Sequence, residues 1–278
     1  MTPARPTRIA ITGPLAAAAI AIAATIGAAP PARAQPVAAT YTVHAAGLTI
    51  MELNAVVDIT DATYAVEFRT RLRGVATAFG GGELVTRVEG VWQGDAARPR
   101  RYASEGSLRG ESRRTVLEWP NNQPVIRVMV PPNEAERLPV PDAEQRNTID
   151  NLSALAQLIR QVRRTGRCDG AVRVYDGRRL SSMTASTQGR EAFPPSREEW
   201  SGNALKCGFE GMFLAGYRRD EDQEVARRPQ YGTAWLAESS PGQAVIPVRV
   251  EAASRWFGTL SARLASAGPP GRLRPVVN

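Results

Sequence analysis

The chain has one histidine, His44, and two cysteines, Cys168 and Cys207, among 278 residues. A Ser-His-Asp or Cys-His arrangement would have to use His44 as its base. That residue lies between Val43 and Ala45 in a strand-like stretch, where it reads as an ordinary strand-face side chain. The sequence contains no G-x-S-x-G elbow, no H-E-x-x-H and no G-x-x-x-x-G-K. The cysteines are far apart rather than in a C-x-x-C redox pair. Zinc-type sites need a cluster of ligands, and none is gathered here. Glu198-Glu199 and Asp220-Glu221-Asp222 lie in polar stretches where solvation accounts for them. A glycosidase can use two carboxylates distant in sequence, so a hydrolase of glycans or esters stays as a third reading. The expectation is a protein with no catalytic residue, no metal and no cofactor.

Residues 1–34 carry the address. Arg5 and Arg8 precede an uncharged Ala/Ile-rich run, Ile9 to Ala29, which closes on Ala32-Arg33-Ala34. Basic, apolar and small-residue segments in that order make a secretory signal peptide. Cleavage near Ala34 would start the mature chain at about Gln35, and no cysteine stands there to take a lipid. The alternative is an uncleaved anchor, since ~20 apolar residues span a bilayer, but Gly13-Pro14 interrupts the run. No later segment is apolar enough to cross, so the mature protein is expected in the periplasm and not as an integral membrane protein.

Cys168 and Cys207 acquire meaning in that compartment. An even count of cysteines outside the cytoplasm points to a disulfide between them; two buried thiols are the alternative. Net charge is +8, and losing the three arginines of residues 1–34 leaves +5. Lys206 is the sole lysine, and the arginines are interspersed with acids along strand-like stretches. Nucleic acid is therefore not expected as a partner. A basic envelope protein can still be drawn to anionic headgroups or acidic glycans.

The elements that would position any site read as strands. Met51, Leu53, Ala55, Val57 and Ile59 alternate with polar residues, and Tyr64, Val66, Phe68 and Leu72 do so after a turn at Asp61-Ala62. Period two is the pattern of a sheet with one apolar and one wet face. It resumes at Leu84, Val88 and Trp92 after a Gly-rich, flexible stretch at 74–82. Further strands are expected near 101–108, 112–119 and 125–130, then an irregular excursion from Pro131 to Asn147. After residue 172 strands return. Asp176-Gly177 suggests a type I′ hairpin, residues 188–202 a polar loop, and 258–264 the last strand, with a frayed end from Ala267. One helix stands out, with Leu152, Leu155, Ile159 and Val162 at helical spacing. Thr148 or Asp150 can cap its start and Gly166 its end. Its stripe would pack on the sheet or serve as a lid.

The order of several motifs resembles a known family. Tyr41-Thr42-Val43 with Gly47-Leu48, Asp150 to Leu155, Val172 to Arg179 and Ile246-Pro247-Val248 are similar to the Gram-negative periplasmic family called domain of unknown function 3108, over about Tyr41 to Leu260. The resemblance implies location and architecture and no catalytic residue. By fold-level analogy such proteins look similar to periplasmic lipoprotein carriers, in which a curved antiparallel sheet forms a half-open shell.

The expected architecture is mostly β: a signal peptide at 1–34, one β-rich domain at 35–266 built as a curved antiparallel sheet with one amphipathic helix on it, and a flexible tail at 267–278. The expected function is a non-enzymatic periplasmic binding or scaffold protein holding an acyl chain, a lipoprotein tail or a hydrophobic peptide. The candidate lining is Tyr64, Phe68, Leu72, Leu84, Trp92, Leu155 and Ile159. The alternative is an envelope protein that docks another protein or the cell-wall polymer without a small ligand.

Overall fold

The structure, a computed structural model, describes residues 36–108, 110–197, 199–254 and 258–271, besides Met1. The expected signal segment and the last residues of the expected tail, 272–278, lie outside the described residues.

Alternating side chains produce thirteen strands. The first seven are β1 (Val37–Ala45), β2 (Leu48–Ile59), β3 (Thr63–Leu72), β4 (Gly82–Gln93), β5 (Ala96–Leu108), β6 (Glu111–Glu118) and β7 (Val125–Val130). A connection carries three helices, α1 (Asn133–Glu136), α2 (Asp142–Gln145) and α3 (Asn151–Thr165). Then come β8 (Gly170–Tyr175), β9 (Leu180–Phe193), β10 (Gly202–Ala215), α4 (Gln223–Arg227), β11 (Gln230–Glu238), β12 (Val245–Ser254) and β13 (Gly258–Gly268).

All thirteen strands join one antiparallel sheet in the order β7-β6-β5-β4-β3-β2-β1-β13-β12-β11-β10-β9-β8. Neighbours in sequence are neighbours in space, which short turns allow. The rule breaks at β7 and β8, consecutive strands at opposite ends of the order, and correspondingly the first and last strands, β1 and β13, pair in the middle of the sheet. The edges, β7 and β8, are therefore interior to the sequence. They do not pair with each other, so the sheet is not closed. The connection between them occupies part of the seam. Ile149 takes the outer edge of β8, donating its N–H to Arg173 at 3.1 Å and accepting from Tyr175 at 2.9 Å. The Trp119 indole, just past β6, donates to the Thr148 carbonyl at 3.0 Å.

The two faces of the early strands differ as period two requires. Ala55 is opposite Phe68, Val57 opposite Val66 and Ile59 opposite Tyr64, all on the inner face. The outer face carries a ladder of ion pairs, among them Arg87–Glu67 at 2.7 Å, Arg101–Glu118 at 2.7 Å and Arg127–Glu118 at 2.8 Å, with Arg71 on Glu83. Exposed pairs of this kind are worth about 0–1 kcal/mol each, so the ladder neutralises the arginines more than it holds the sheet.

Several local features differ from the sequence reading. The 74–82 stretch contains a 3₁₀ helix, Gly74–Phe79, and the 131–147 excursion contains α1 and α2. The polar loop expected over 188–202 shrinks to 194–201, because β9 zips against β10 up to Phe193–Gly202. Its composition looks like a loop, yet the long partner strand decides. The Asp176-Gly177 turn is not type I′. The Asp176 carboxylate accepts from the N–H groups of Arg178 and Arg179 at 2.8 and 2.7 Å. That Asx-type turn needs positive φ only at Gly177, where φ is 90°. The last strand runs on to Gly268, with Ala267 opposite Ala39 and Gly268 opposite Ala38.

Candidate functional site

Helix α3 begins where its sequence says it should. Asp150 is the N-cap, accepting from the N–H groups of Leu152 and Ser153 at 2.9 Å each, and Gly166 ends the helix at φ 68°. Thr148 does not cap; its hydroxyl donates to the Gln145 carbonyl at 2.6 Å. Asp150 is fully buried. Burial raises its pKa, and the hydrogen bonds from the helix start and from the Ser153 hydroxyl, at 2.5 Å, oppose that rise. The Ser153 hydroxyl also bonds the Tyr64 hydroxyl at 2.8 Å, which pins the helix entry to β3.

The helix has two apolar sides rather than one. Leu152, Ala156, Ile159 and Val162 are buried, and α3 packs on β2, β3, β4 and β5. Tyr64 packs against Trp92 there, the rings tilted by 43° with centroids 4.7 Å apart, and the Arg160 guanidinium covers Trp92 at 4.4 Å. Gly90 lies under Tyr64. A Cβ at position 90 would sit 2.3 Å from the Tyr64 hydroxyl oxygen, so no larger residue fits.

The other side of α3 presents Ala154, Leu155 and Leu158 to β8–β12 across a cavity of about 260 Å³. Its far wall is Val172, Met183, Ala185, Phe209, Ala234 and Val250, and Cys168 lies at its end. Asn151, Gln157 and Gln161 give it a polar rim. The space exists because the residues facing the helix are small: Gly170, Ala171, Ala185 and Ala234. No carboxylate, amine, guanidinium or imidazole lines it. It therefore has nothing to give or take a proton with, and what it can do is bury apolar surface.

Cys168 and Cys207 form a disulfide, with Cα atoms 6.0 Å apart. Cys207 is opposite Ala234 on β11 and Thr187 on β9. The bond therefore ties the exit of α3 to the wall across the cavity and fixes the gap between them. With a sequence separation of 39, loop-closure reasoning gives about 4 kcal/mol of stabilisation.

Of the seven residues expected to line a ligand site, Leu155 lines this cavity. Ile159 and Tyr64 are buried on the opposite side of α3. Trp92 and Phe68 are half-buried against that same packing. Leu72, opposite Met51, and Leu84, opposite Thr70, are half-buried toward the far end of β3 and β4. Sequence reasoning looked for large side chains, whereas a cavity is marked by small ones. The small residues that leave the space stand at 170, 171, 185 and 234, scattered along the sequence, and only the strand pairing brings them opposite Leu155 and Leu158. His44 stands in β1 and takes no part in the cavity. Among the described residues no three His, Cys, Asp or Glu side chains group as a metal site would need, and no helix is long and apolar enough to cross a membrane.

Several solved structures are similar to the chain, among them the following two. One is a beta-barrel-like protein of domain of unknown function DUF1849 from Brucella abortus, 12% identical, with a TM-score of 0.49, covering 84% of this chain and 98% of that one. The other, with a YmcC-like fold, is from Bacteroides fragilis, 14% identical, with a TM-score of 0.34, covering 85% of this chain and 96% of that one. No curated protein matches. A family model described as a protein of unknown function, DUF3108, matches residues 40–265. That span exceeds half of the sequence and takes in β2 through β12, and the chain belongs to the DUF3108 family.

Proposed function

We propose that this is an exported, non-catalytic envelope protein that holds the end of an apolar chain between α3 and the β8–β12 wall. The observation that carries the reading is the cavity itself, apolar on both walls and free of ionisable groups. Its volume, about 260 Å³, lies below the ~300–1,000 Å³ typical of sites for drug-sized ligands. It suits a stretch of one acyl chain or an apolar peptide side chain rather than a whole lipid. Capture is passive: each methylene buried contributes about 0.8 kcal/mol. Export is supported by the basic, apolar and small-residue order of residues 1–34 and by a disulfide of the kind that persists in oxidising compartments.

The test is to purify the protein from the periplasm, extract it with organic solvent and identify bound lipids by mass spectrometry. Displacement of a fluorescent fatty acid is measured in parallel. Bound acyl chains, with probe binding lost in Leu158→Trp, are the expected result. Protein that is empty and does not bind the probe overturns the proposal.

A further inference from the structure

The outer faces of the two halves of the sheet are unlike. On β3–β6 many charged side chains pair with one another, as in Arg87–Glu67 and Arg71–Glu83. On β9–β12 the outer face forms a groove of about 590 Å³. Thr184, Ser186, Gln188, Glu210, Tyr231 and Thr233 line it. The pairings put these residues on one face: Glu210 is opposite Tyr231 and Thr184, and Gly208 is opposite Ser186 and Thr233. That face is the reverse of the one bearing Ala185 and Phe209, which are opposite each other and line the apolar cavity.

Three features give the groove a chemistry. Gly208 stands in mid-strand on this face, where glycine marks the close approach of another group. Gln188 lies across Gly208, so that a Cβ at position 208 would meet the amide nitrogen at 2.1 Å. Tyr231 is 61% exposed at the groove wall, a flat ring with a polar tip and, among the described residues, no aromatic or cationic partner. Around it stand hydroxyls and an amide that can both donate and accept, and a carboxylate that only accepts. Glu251, also in the groove, already pairs with Arg249, whereas Glu210 forms no ion pair among the described residues. Among the described residues no lysine or arginine lines the groove, so the chemistry of its lining does not suit phosphate or an acidic polymer.

An apolar ring face beside uncommitted hydroxyl, amide and carboxylate groups matches a sugar ring, which has C–H faces and a rim of hydroxyls. We propose that the outer groove of β9–β12 binds an oligosaccharide, neutral or amino-bearing, with one sugar stacked on Tyr231 and its hydroxyls or amino group held by Gln188, Glu210 and Thr233. This site goes beyond the apolar cavity and does not depend on it.

The test is calorimetric titration of the full-length mature protein with hexamers of glucose, N-acetylglucosamine, glucosamine and galacturonic acid. At least one of the first three is expected to bind and the galacturonate hexamer is not. Tyr231→Ala is expected to weaken binding at least tenfold with an unchanged melting temperature. Glu210→Gln is expected to remove any preference for the glucosamine hexamer. Displacement of the fluorescent fatty acid is expected to be unaffected by Tyr231→Ala, which separates this site from the cavity. Absence of binding to all three neutral or amino-bearing hexamers overturns the proposal. So does tightest binding of the galacturonate hexamer, or binding that Tyr231→Ala leaves intact.

Discussion

Helix α3 meets the sheet twice. Toward β2–β5 it meets Tyr64, Phe68, Trp92 and Tyr102, bulky side chains that close on Leu152, Ala156 and Ile159. Toward β8–β12 it meets Gly170, Ala171, Ala185 and Ala234, and a cavity remains against Leu155 and Leu158. The same helix therefore belongs to a dry core on one side and borders an unfilled space on the other. Dense packing is the rule in protein interiors, so the small-residue wall is the part that asks for a functional explanation.

That contrast can be broken experimentally. The largest effect is expected at the disulfide, because it sets the width of the cavity side alone. Replacing Cys168 and Cys207 together by alanine should cost about 4 kcal/mol, read by denaturant titration. A loss below about 1 kcal/mol would mean that the β8–β12 wall holds its distance from α3 without the bond. Next, Ile159→Ala should cost about 2–5 kcal/mol, as buried large-to-small changes do. Leu155→Ala should cost about 1 kcal/mol, since its side chain already faces empty space. Equal costs, measured side by side, would show that the cavity is collapsed in solution. Filling the wall sharpens the comparison. Ala185→Leu should cost no more than about 1–3 kcal/mol, the range for an overpacked core, because the cavity takes the added atoms, and should abolish fatty-acid binding; retained binding would place the ligand elsewhere.

The smallest effect concerns Asp150, common to both sides. Its pKa is raised in the folded state by burial, whereas unfolded it titrates near the ordinary value of about 3.9. The protonated form is thus favoured by folding. Its contribution is fully present below about pH 3.9 and is lost as pH rises through the folded pKa. Asp150→Asn keeps a good N-cap and should remove this pH dependence from the melting profile. An unaltered profile would assign the dependence to another group.

Much of this architecture could be read from the residues. Alternation in 51–72 gave β2 and β3, because a wet face and an apolar face must have period two. Asp150 and Gly166 bracketed the helix, because only certain residues satisfy helix ends. The disulfide followed from the even cysteine count together with the compartment expected from residues 1–34. The β9 segment from Gln188 to Phe193 reads as a loop because its side chains are polar, while its extended form is decided by pairing with β10. The single helical stripe of Leu152, Leu155, Ile159 and Val162 proved to be two, with Leu155 turned away from Ile159 toward the cavity. Which side of a helix finds small neighbours depends on strands distant in sequence, and no local pattern carries that. The outer groove was missed for a related reason: Glu210, Tyr231 and Gln188 come together only through strand register.

The pairing of β1 with β13 has a consequence for how the molecule is made. A chain synthesised from its N-terminus completes β1 early but must wait for residues 258–268 before that strand gains its second neighbour. The Tyr41 hydroxyl, which donates to the Pro247 carbonyl at 2.8 Å, waits almost as long. Until then the seven-strand and five-strand halves can each assemble by short hairpins, which are quick to form, while the join between them spans nearly the whole sequence and is slow. During that interval two bare strand edges face each other in the middle of the nascent sheet, the kind of surface that invites pairing with another chain. The final strand thus acts as a clasp. A chain cut short before Gly258 would be left as two half-sheets joined through the α3 connection, and an excess of aggregated over soluble product is the expected outcome of that truncation.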